Sequence, residues 1–469
     1  MNNSSVRLKM IEIKNLKNVT YGTLSFENTR KAYNASILGL YGQNGSGKTA
    51  LIDSLLLLKF ALSGQSVPAF FSDLVNVDAE FAEIRYEFSV ENTDNGGEYT
   101  ADYTLRIRRD AGDVSGNTII QGDEATDGRV VLFDEVLTYS YECGGVKLPN
   151  RPVVDTRTDD VFSPKSKYDV LVGKSKSVFT DLIVAKKLAL AMSRSFIFSK
   201  ELISAIRENC AEDVHRFLFD ALVVYGNYEL FVINTASAGM MSMNALPLAF
   251  RSNPDDASYN NIMVSISGTT TIPADALEPV SKVIDEMNIV LAEIIPGLTI
   301  GAKNLGSSLM RSGREGVKIE LVSHKNSKEI PLRYESDGIK KIISILQLFI
   351  VIYNKPSITV AIDELDSGVF EYLLGELLRI ISEKGRGQLI FTSHNLRPLE
   401  TLDRGFIAFT TTNPENRYIR MSNVKTNNNL RDFYYRDIVL GEQCETVYNS
   451  TDNYEIAYAF REAGEDDEP

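Results

Sequence analysis

The chain has 469 residues, enough for two or three domains, and its 43% hydrophobic and 24% charged residues are ordinary for a globular protein. A formal net charge of −14 argues against wholesale non-specific DNA binding, while leaving room for a local basic groove. The longest apolar run, near 346–353, is far short of the ~18 residues that span a bilayer, and the first residues lack the apolar core of a signal peptide, so a cytoplasmic protein is expected.

Taken in order, 7–13 and 22–26 read as two strands around a polar turn at 15–18. A third strand, 35–40, enters the glycine-rich stretch 42–49, and an apolar helix then runs to a stop at Ser63-Gly64. Residues 82–90, 99–107 and 129–141 are rich in β-branched and aromatic residues between turn clusters, predicting an antiparallel lobe. The polar stretch 144–177 reads as a solvated linker, with a nucleic-acid or partner contact as the alternative. Helical periodicity fills 178–224 and 274–295, with short strands at 229–233 and 262–266 between them. Further on, 317–322 is a strand, 339–353 a strongly apolar helix, 358–362 a buried strand, 369–382 a helix and 388–392 another strand. Alternating strand and helix at this spacing predicts a parallel sheet covered by helices. The acidic tail 464–469 has the composition of a disordered segment.

The stretch Gly42-Gln43-Asn44-Gly45-Ser46-Gly47-Lys48-Thr49 reads G-x-x-x-x-G-K-T between strand and helix signals. Such a loop turns backbone N–H groups and a helix N-terminus onto a phosphate. Lys48 would reach the β- and γ-phosphates of a nucleoside triphosphate, and the Thr49 hydroxyl would bind Mg²⁺. Asp363, closing the apolar strand 358–362, is placed to hold Mg²⁺, and Glu364 beside it to polarise the attacking water. Ser336-Asp337-Gly338 opens a helix, so it is an N-cap or an anion site. His394 follows an apolar strand 30 residues beyond Glu364 and is a candidate phosphate contact. Besides His394 the chain has only His215 and His324, and Cys143, Cys210 and Cys444 stand far apart. Neither a histidine-built nuclease nor a disulfide or zinc framework is indicated.

These pieces together resemble the ABC-type ATPase heads of the SMC, Rad50, RecF and OLD-like group. On that resemblance 42–49 is the Walker A motif, 358–364 Walker B, Leu365-Asp366-Ser367 the D-loop, Glu335-Ser336-Asp337-Gly338 the signature, and His394 the switch histidine. The Q-loop glutamine has only weak candidates, Gln65 and Gln121. The resemblance implies an α/β head with a parallel-sheet P-loop core and an antiparallel β lobe, carrying a mainly helical insertion. It also implies Mg²⁺-dependent ATP hydrolysis between subunits, with Ser336 and Gly338 acting in trans on the Walker A site of a second copy.

About 290 residues separate Walker A from the signature, and no coiled coil intervenes. That spacing is unlike transporter subunits and similar to the AAA15/AAA21 group of small prokaryotic ATPases. The stretches 11–19, 133–137 and 429–434 also resemble that group, and the layout is similar to the AriA-type ATPase subunits of PARIS anti-phage systems. The resemblance implies a sensor or scaffold that controls a separate effector, a Toprim nuclease, on a phage-encoded trigger. Only about 75 residues follow His394, too few for a Toprim domain in this chain. Two alternatives stand beside this reading. One is a RecF-like DNA-repair or chromosome-maintenance ATPase binding DNA through 165–176 or 186–207. The other is a nuclease with its own site within 150–300. The expected division is 1–145 and 301–425 as two halves of the head, 146–300 as the insertion, and 426–469 as a C-terminal extension.

Overall fold

A computed structural model describes residues 4–28, 33–110, 129–234, 245–251, 259–310, 313–325, 328–421, 429–440, 444–449 and 451–463. The chain opens with the hairpin β1 (Ser4–Leu16) and β2 (Val19–Ser25). Then β3 (Ser36–Tyr41) leads into the glycine-rich loop and α1 (Lys48–Leu62). Next, β4 (Ala82–Asn92), β5 (Gly97–Asp110), β6 (Arg129–Cys143) and β7 (Val146–Asp155) extend the hairpin into a six-stranded antiparallel sheet ordered β2-β1-β4-β5-β6-β7. Four helices follow: α2 (Lys165–Val172), α3 (Lys176–Ala191), α4 (Lys200–Asn209) and α5 (Asp213–Val224). The stretch expected as a linker, 144–177, therefore holds a strand and a helix. The strand leaves no periodic signal in the sequence because β7 is an edge strand, mostly solvated, with Pro149 and Pro152 interrupting any alternation.

After α5 comes β8 (Leu230–Ile233), buried at every position. Then follow β9 (Ala245–Arg251), β10 (Tyr259–Ser265), β11 (Thr269–Pro273), α6 (Leu277–Ile294), β12 (Leu298–Leu309), β13 (Glu315–Lys325) and β14 (Lys328–Pro331). The chain continues through α7 (Asp337–Asn354), β15 (Thr359–Ile362), α8 (Glu371–Lys384), β16 (Gln388–Thr392), α9 (Pro398–Thr401), β17 (Ile407–Thr410), β18 (Tyr418–Ile419), α10 (Leu430–Leu440) and α11 (Asn453–Glu462). A second six-stranded sheet has the order β18-β17-β3-β16-β15-β8, parallel from β17 to β8. So β8 belongs to the parallel core, and the span 146–300 is not insertion throughout.

The parallel sheet divides two cores by side-chain alternation. Leu38, Leu40, Ala361, Ile390 and Ala408 face α1, the antiparallel lobe and α2–α5. Ile37, Tyr41, Val360, Ile362, Phe391 and Phe409 face α6, α7 and α8. Sandwiched between two sheets, α1 is buried on all sides, which is why its sequence is apolar all round. The lobe is fastened to the core by Gln388: its amide accepts from Leu8 N–H at 3.1 Å and donates to Leu8 O at 2.7 Å. This architecture is a mixed α/β fold with a parallel-sheet core carrying the glycine-rich loop, an antiparallel lobe and helical insertions, the fold class expected from the sequence. No helix among the described residues is long and apolar enough to cross a membrane.

Candidate functional site

In an open parallel sheet the ligand crevice lies beyond the carboxyl ends of the strands. Here β3 delivers the glycine-rich loop to that edge, β15 delivers Asp363 and Glu364, and β16 delivers Ser393 and His394. The loop bends sharply at Gly42, where φ is 155° and a Cβ would fall 1.7 Å from Thr410 Oγ1. Only glycine fits there. Asn44 and Gly45 are exposed at the tip, Ser46 and Gly47 are buried beneath it, and Thr49 is half-buried in the first turn of α1. The loop is held from below: Ser46 Oγ donates to Gln43 O at 2.6 Å, and Tyr418 Oη donates to Gly47 O at 2.9 Å.

The buried Lys48 ammonium donates to Gly42 O at 2.9 Å and Gln43 O at 3.0 Å. Burial lowers its pKa, and the charges of Asp363, Glu364 and Asp366 oppose that shift. A buried ammonium beside three acids is a receptor for an anion that brings its own cation.

Asp363 is 2% exposed, and its N–H donates to Ile233 O at 2.9 Å. Thr392 Oγ1 donates to the Asp363 carboxylate at 2.6 Å and accepts the Glu364 N–H at 2.8 Å. Glu364 has φ 48°, a strained conformation for a non-glycine residue. Asp366 accepts the N–H groups of His394 at 3.2 Å and Asn395 at 3.0 Å, tying the two loop ends together. A cavity of about 280 Å³ is lined by Asn44, Glu364, Asp366, Ser367 and His394. The structure thus brings the loop tip, the strand-end acid and the histidine onto one space.

Ser336 does not line that cavity; it is exposed as the N-cap of α7, accepting the Ile339 N–H at 3.4 Å. Gly338 packs on the turn that follows Asp366: a Cβ there would meet Gly368 O at 2.6 Å. One turn along α7, Lys341 is buried, with Nζ 3.5 Å from Glu364 O. Burial lowers its pKa to about 8, against the opposing charges of Asp366, Glu364 and Asp363.

Sequence reasoning missed Lys341 and Thr392, each an ordinary residue within an apolar run. It also missed Asn234, which directly follows β8 and donates to the buried Asp53 on α1, a carboxylate also paired with Lys17. Burial pushes the Asp53 carboxyl up, Lys17 opposes, and Asp363 pushes it further, so the two acids feel each other. Of the Q-loop candidates, Gln65 lies past the far end of α1, roughly 25 Å from the loop at 1.5 Å per residue. Gln121 lies outside the described residues, as does the tail 464–469. Among the described residues no group of three or more His, Cys, Asp or Glu is arranged for a metal. Mg²⁺ in nucleotide sites takes one or two protein oxygens and completes its shell with phosphate and water. The Thr49 hydroxyl and the Asp363 carboxylate fit that donor set.

Two family models match the chain. One, described as "AAA domain", covers residues 10–146, and the other, described as "AAA domain, putative AbiEii toxin, Type IV TA system", covers residues 246–400. No curated protein matches it in sequence. Among solved structures it is similar to the Smc head domain from Pyrococcus furiosus bound to the C-terminal domain of ScpA, at 14% identity and TM-score 0.38, covering 89% of this chain and 96% of that one. It is similar to the SMC head domain from Thermotoga maritima at 14% identity and TM-score 0.34, covering 89% and 99%. It is also similar to the recombination mediator protein RecF of the RecFOR pathway, at 14% identity and TM-score 0.35, covering 88% and 98%. The AAA-domain matches over both halves, with the phosphate loop and strand-end acids in one crevice, make the chain a P-loop ATPase that binds ATP.

Proposed function

We propose that this ATPase is an ATP-gated clamp: two copies close on nucleotide, and Ser336 of each completes the Lys48 cradle of the other. The observation that carries the reading is the half-built site. Asn44, Glu364, Asp366 and His394 converge on one cavity, while Ser336 stands exposed outside it at a helix N-terminus. A helix N-terminus with an exposed hydroxyl suits a phosphate delivered by another subunit.

In the closed state Gly42, Asn44, Gly45, Ser46 and Gly47 wrap the phosphates. Lys48 leaves its own loop carbonyls for the β- and γ-phosphates. Thr49 and Asp363 would hold Mg²⁺, which neutralises phosphate charge and orients the γ-phosphate when bound. Glu364, poised by its strained backbone and by Thr392, polarises the attacking water. His394, tied to Asp366 of the D-loop, contacts the γ-phosphate and reports its loss. Hydrolysis then opens the clamp.

Substituting Glu364→Gln and adding ATP tests this directly. The variant should bind ATP, stop hydrolysis and run as a dimer or larger assembly by light scattering. Lys48→Ala should remain unassembled. A Glu364→Gln chain that stays monomeric with saturating ATP would overturn the clamp.

The reading of the output that needs no second gene product is a RecF-like one, in which the closed heads act on DNA during repair or chromosome maintenance. Support comes from the face between lobe and helices, where Arg108, Arg157, Lys186, Lys187 and Arg194 line a cavity of about 360 Å³. Such clustering suits a polyanion, though Asp134, Glu135, Asp159 and Asp160 line the same cavity. DNA binding by Glu364→Gln with ATP should fall steeply with salt and be lost in Lys186→Glu/Lys187→Glu. A second reading is favoured by the AbiEii description of the family model over 246–400. In it the clamp controls a separate defence effector, such as the Toprim nuclease of PARIS systems, on a phage-encoded trigger. Co-purification with a neighbouring gene product, released on ATP hydrolysis, separates the two.

A further inference from the structure

A buried arginine from late in the chain lies against the phosphate loop. Arg417 closes the turn between β17 and β18 and is 5% exposed. Its Cγ and Cδ lie 3.2 and 3.3 Å from where a Cβ on Gly47 would stand, so the side chain packs on the residue before Lys48. The guanidinium donates to two backbone carbonyls, Nη1 to Thr411 O and Nη2 to Asn18 O, each at 2.6 Å. Asn18 in turn donates to Gly45 O, and Tyr418 Oη to Gly47 O at 2.9 Å, so the groups around the arginine frame the loop. Among the described residues, its buried Nε has no hydrogen-bond partner.

Burial lowers the pKa of Arg417, and no carboxylate among the described residues acts against that shift. A cation buried without a counter-ion is costly, and an arriving anion offsets the cost. Arg420, three residues on, is the contrast. It too donates to carbonyls, Ile407 O at 3.3 Å and Ser25 O at 2.8 Å, but Ile407 opens β17, at the end of the strand away from the loop. The charge balance of the site gives Arg417 a task. Asp363, Glu364 and Asp366 act on both Lys48 and Lys341 and outnumber them. A magnesium-bound triphosphate is still an anion, so the crevice that receives it is short of positive charge.

We propose that Arg417 is a further nucleotide-binding residue: its guanidinium, fixed against Gly47, supplies positive charge that holds the phosphate chain and is itself neutralised by it. A fixed charge acts at that range because its surroundings are buried and of low dielectric. The proposal needs only ATP binding by a single chain and does not depend on two copies closing.

The test titrates the full chain with Mg²⁺ and either a non-hydrolysable ATP analogue or ADP. Arg417→Gln keeps a donor for the framing carbonyls and removes the charge. It should weaken affinity for the analogue about tenfold and affinity for ADP less. Arg417→Lys should recover most of the loss, and Arg420→Gln should bind as the parent does. Parent affinity in Arg417→Gln overturns the proposal. Equal losses in Arg417→Gln and Arg417→Lys also overturn it, because the planar fork would then be a brace for the loop. So does an equal loss in Arg420→Gln, which would be an effect of the hairpin as a whole. A parent chain that binds no nucleotide would remove the ATPase assignment instead. In the parent carrying isotope-labelled arginine, the Arg417 Nε–H resonance is identified by its absence from Arg417→Lys. It should move with the analogue, and less with ADP, while that of Arg420 stays. An unmoved Arg417 resonance overturns the proposal even where Arg417→Gln fails to fold.

Discussion

Thr392 Oγ1 donates to the Asp363 carboxylate at 2.6 Å, across the gap between the carboxyl ends of two neighbouring parallel strands. The same oxygen accepts the Glu364 N–H, so one hydroxyl fixes both the candidate metal ligand and the backbone of the candidate base. Thr392→Val keeps the shape of the side chain and removes both bonds. Misplacement by a fraction of an ångström at a reacting centre costs roughly 10–100-fold in rate. Turnover should fall by that amount with ATP affinity little changed, as phosphate release and nucleotide titration will show. Unchanged turnover would mean that the strand ends hold Asp363 and Glu364 without help.

Lys341 makes the opposite separation of stability from activity. It lies on the helix capped by Ser336 and meets the strand-end acids from within its own subunit. Burying an ammonium is costly, and at Lys341 that cost outweighs the attraction of Asp366, Glu364 and Asp363, so its pKa falls and an uncharged side chain of similar length relieves it. Lys341→Met should therefore leave the thermal midpoint of the nucleotide-free chain level or raised. It should still lower turnover about tenfold or more, because a charge beside Asp363, Glu364 and Asp366 is removed. Lys341→Arg should recover part of that loss. A variant that loses stability and activity together would mark the lysine as a packing element.

Glu135 ties the antiparallel lobe to the helical insertion. Its buried carboxylate accepts from Tyr103 Oη at 2.6 Å, Phe196 N–H at 2.7 Å and Ser195 Oγ. Glu135→Leu would strand those donors at a cost on the order of 3 kcal/mol. The expected result is a lower urea midpoint with ATP binding by the remaining folded chain intact. Loss of nucleotide binding at native temperature would show that the lobe shapes the phosphate loop.

Much of this was legible in the sequence because strand and helix periods are local. The runs into Gly42, Asp363 and His394 are short, apolar and punctuated, and each became a parallel strand delivering its motif to the same edge. What stayed hidden depends on contacts far apart in the chain. β8 is four residues long and reads like any buried fragment; only its pairing with β15 places it in the core. β7 is solvated and broken by prolines, so composition called for a linker. Thr392 and Lys341 carry no motif, and their meaning lies in which strand end each one faces.

Gly338 offers a final separation, between a residue that touches a partner and one that fits its own fold. In the resemblance to ABC-type heads both Ser336 and Gly338 serve the second subunit. The geometry gives Gly338 a further duty: a Cβ would come within 2.6 Å of Gly368 O, backbone that cannot swing aside. Gly338→Ala must push the first turn of α7 away from the turn after Asp366, and with it the carboxylate that holds His394 and Asn395. The variant should lower the thermal midpoint without ATP, by an amount typical of an overpacked site, about 1–3 kcal/mol. Ser336→Ala loses only an N-cap bond, worth about 1 kcal/mol or less at 3.4 Å. It should keep near-normal stability while abolishing ATP-driven assembly. Thermal melts and light scattering on the two variants decide the matter: equal destabilisation would make Ser336 a cap and remove it from the interface, and equal, normal melts would return Gly338 to a purely intersubunit role.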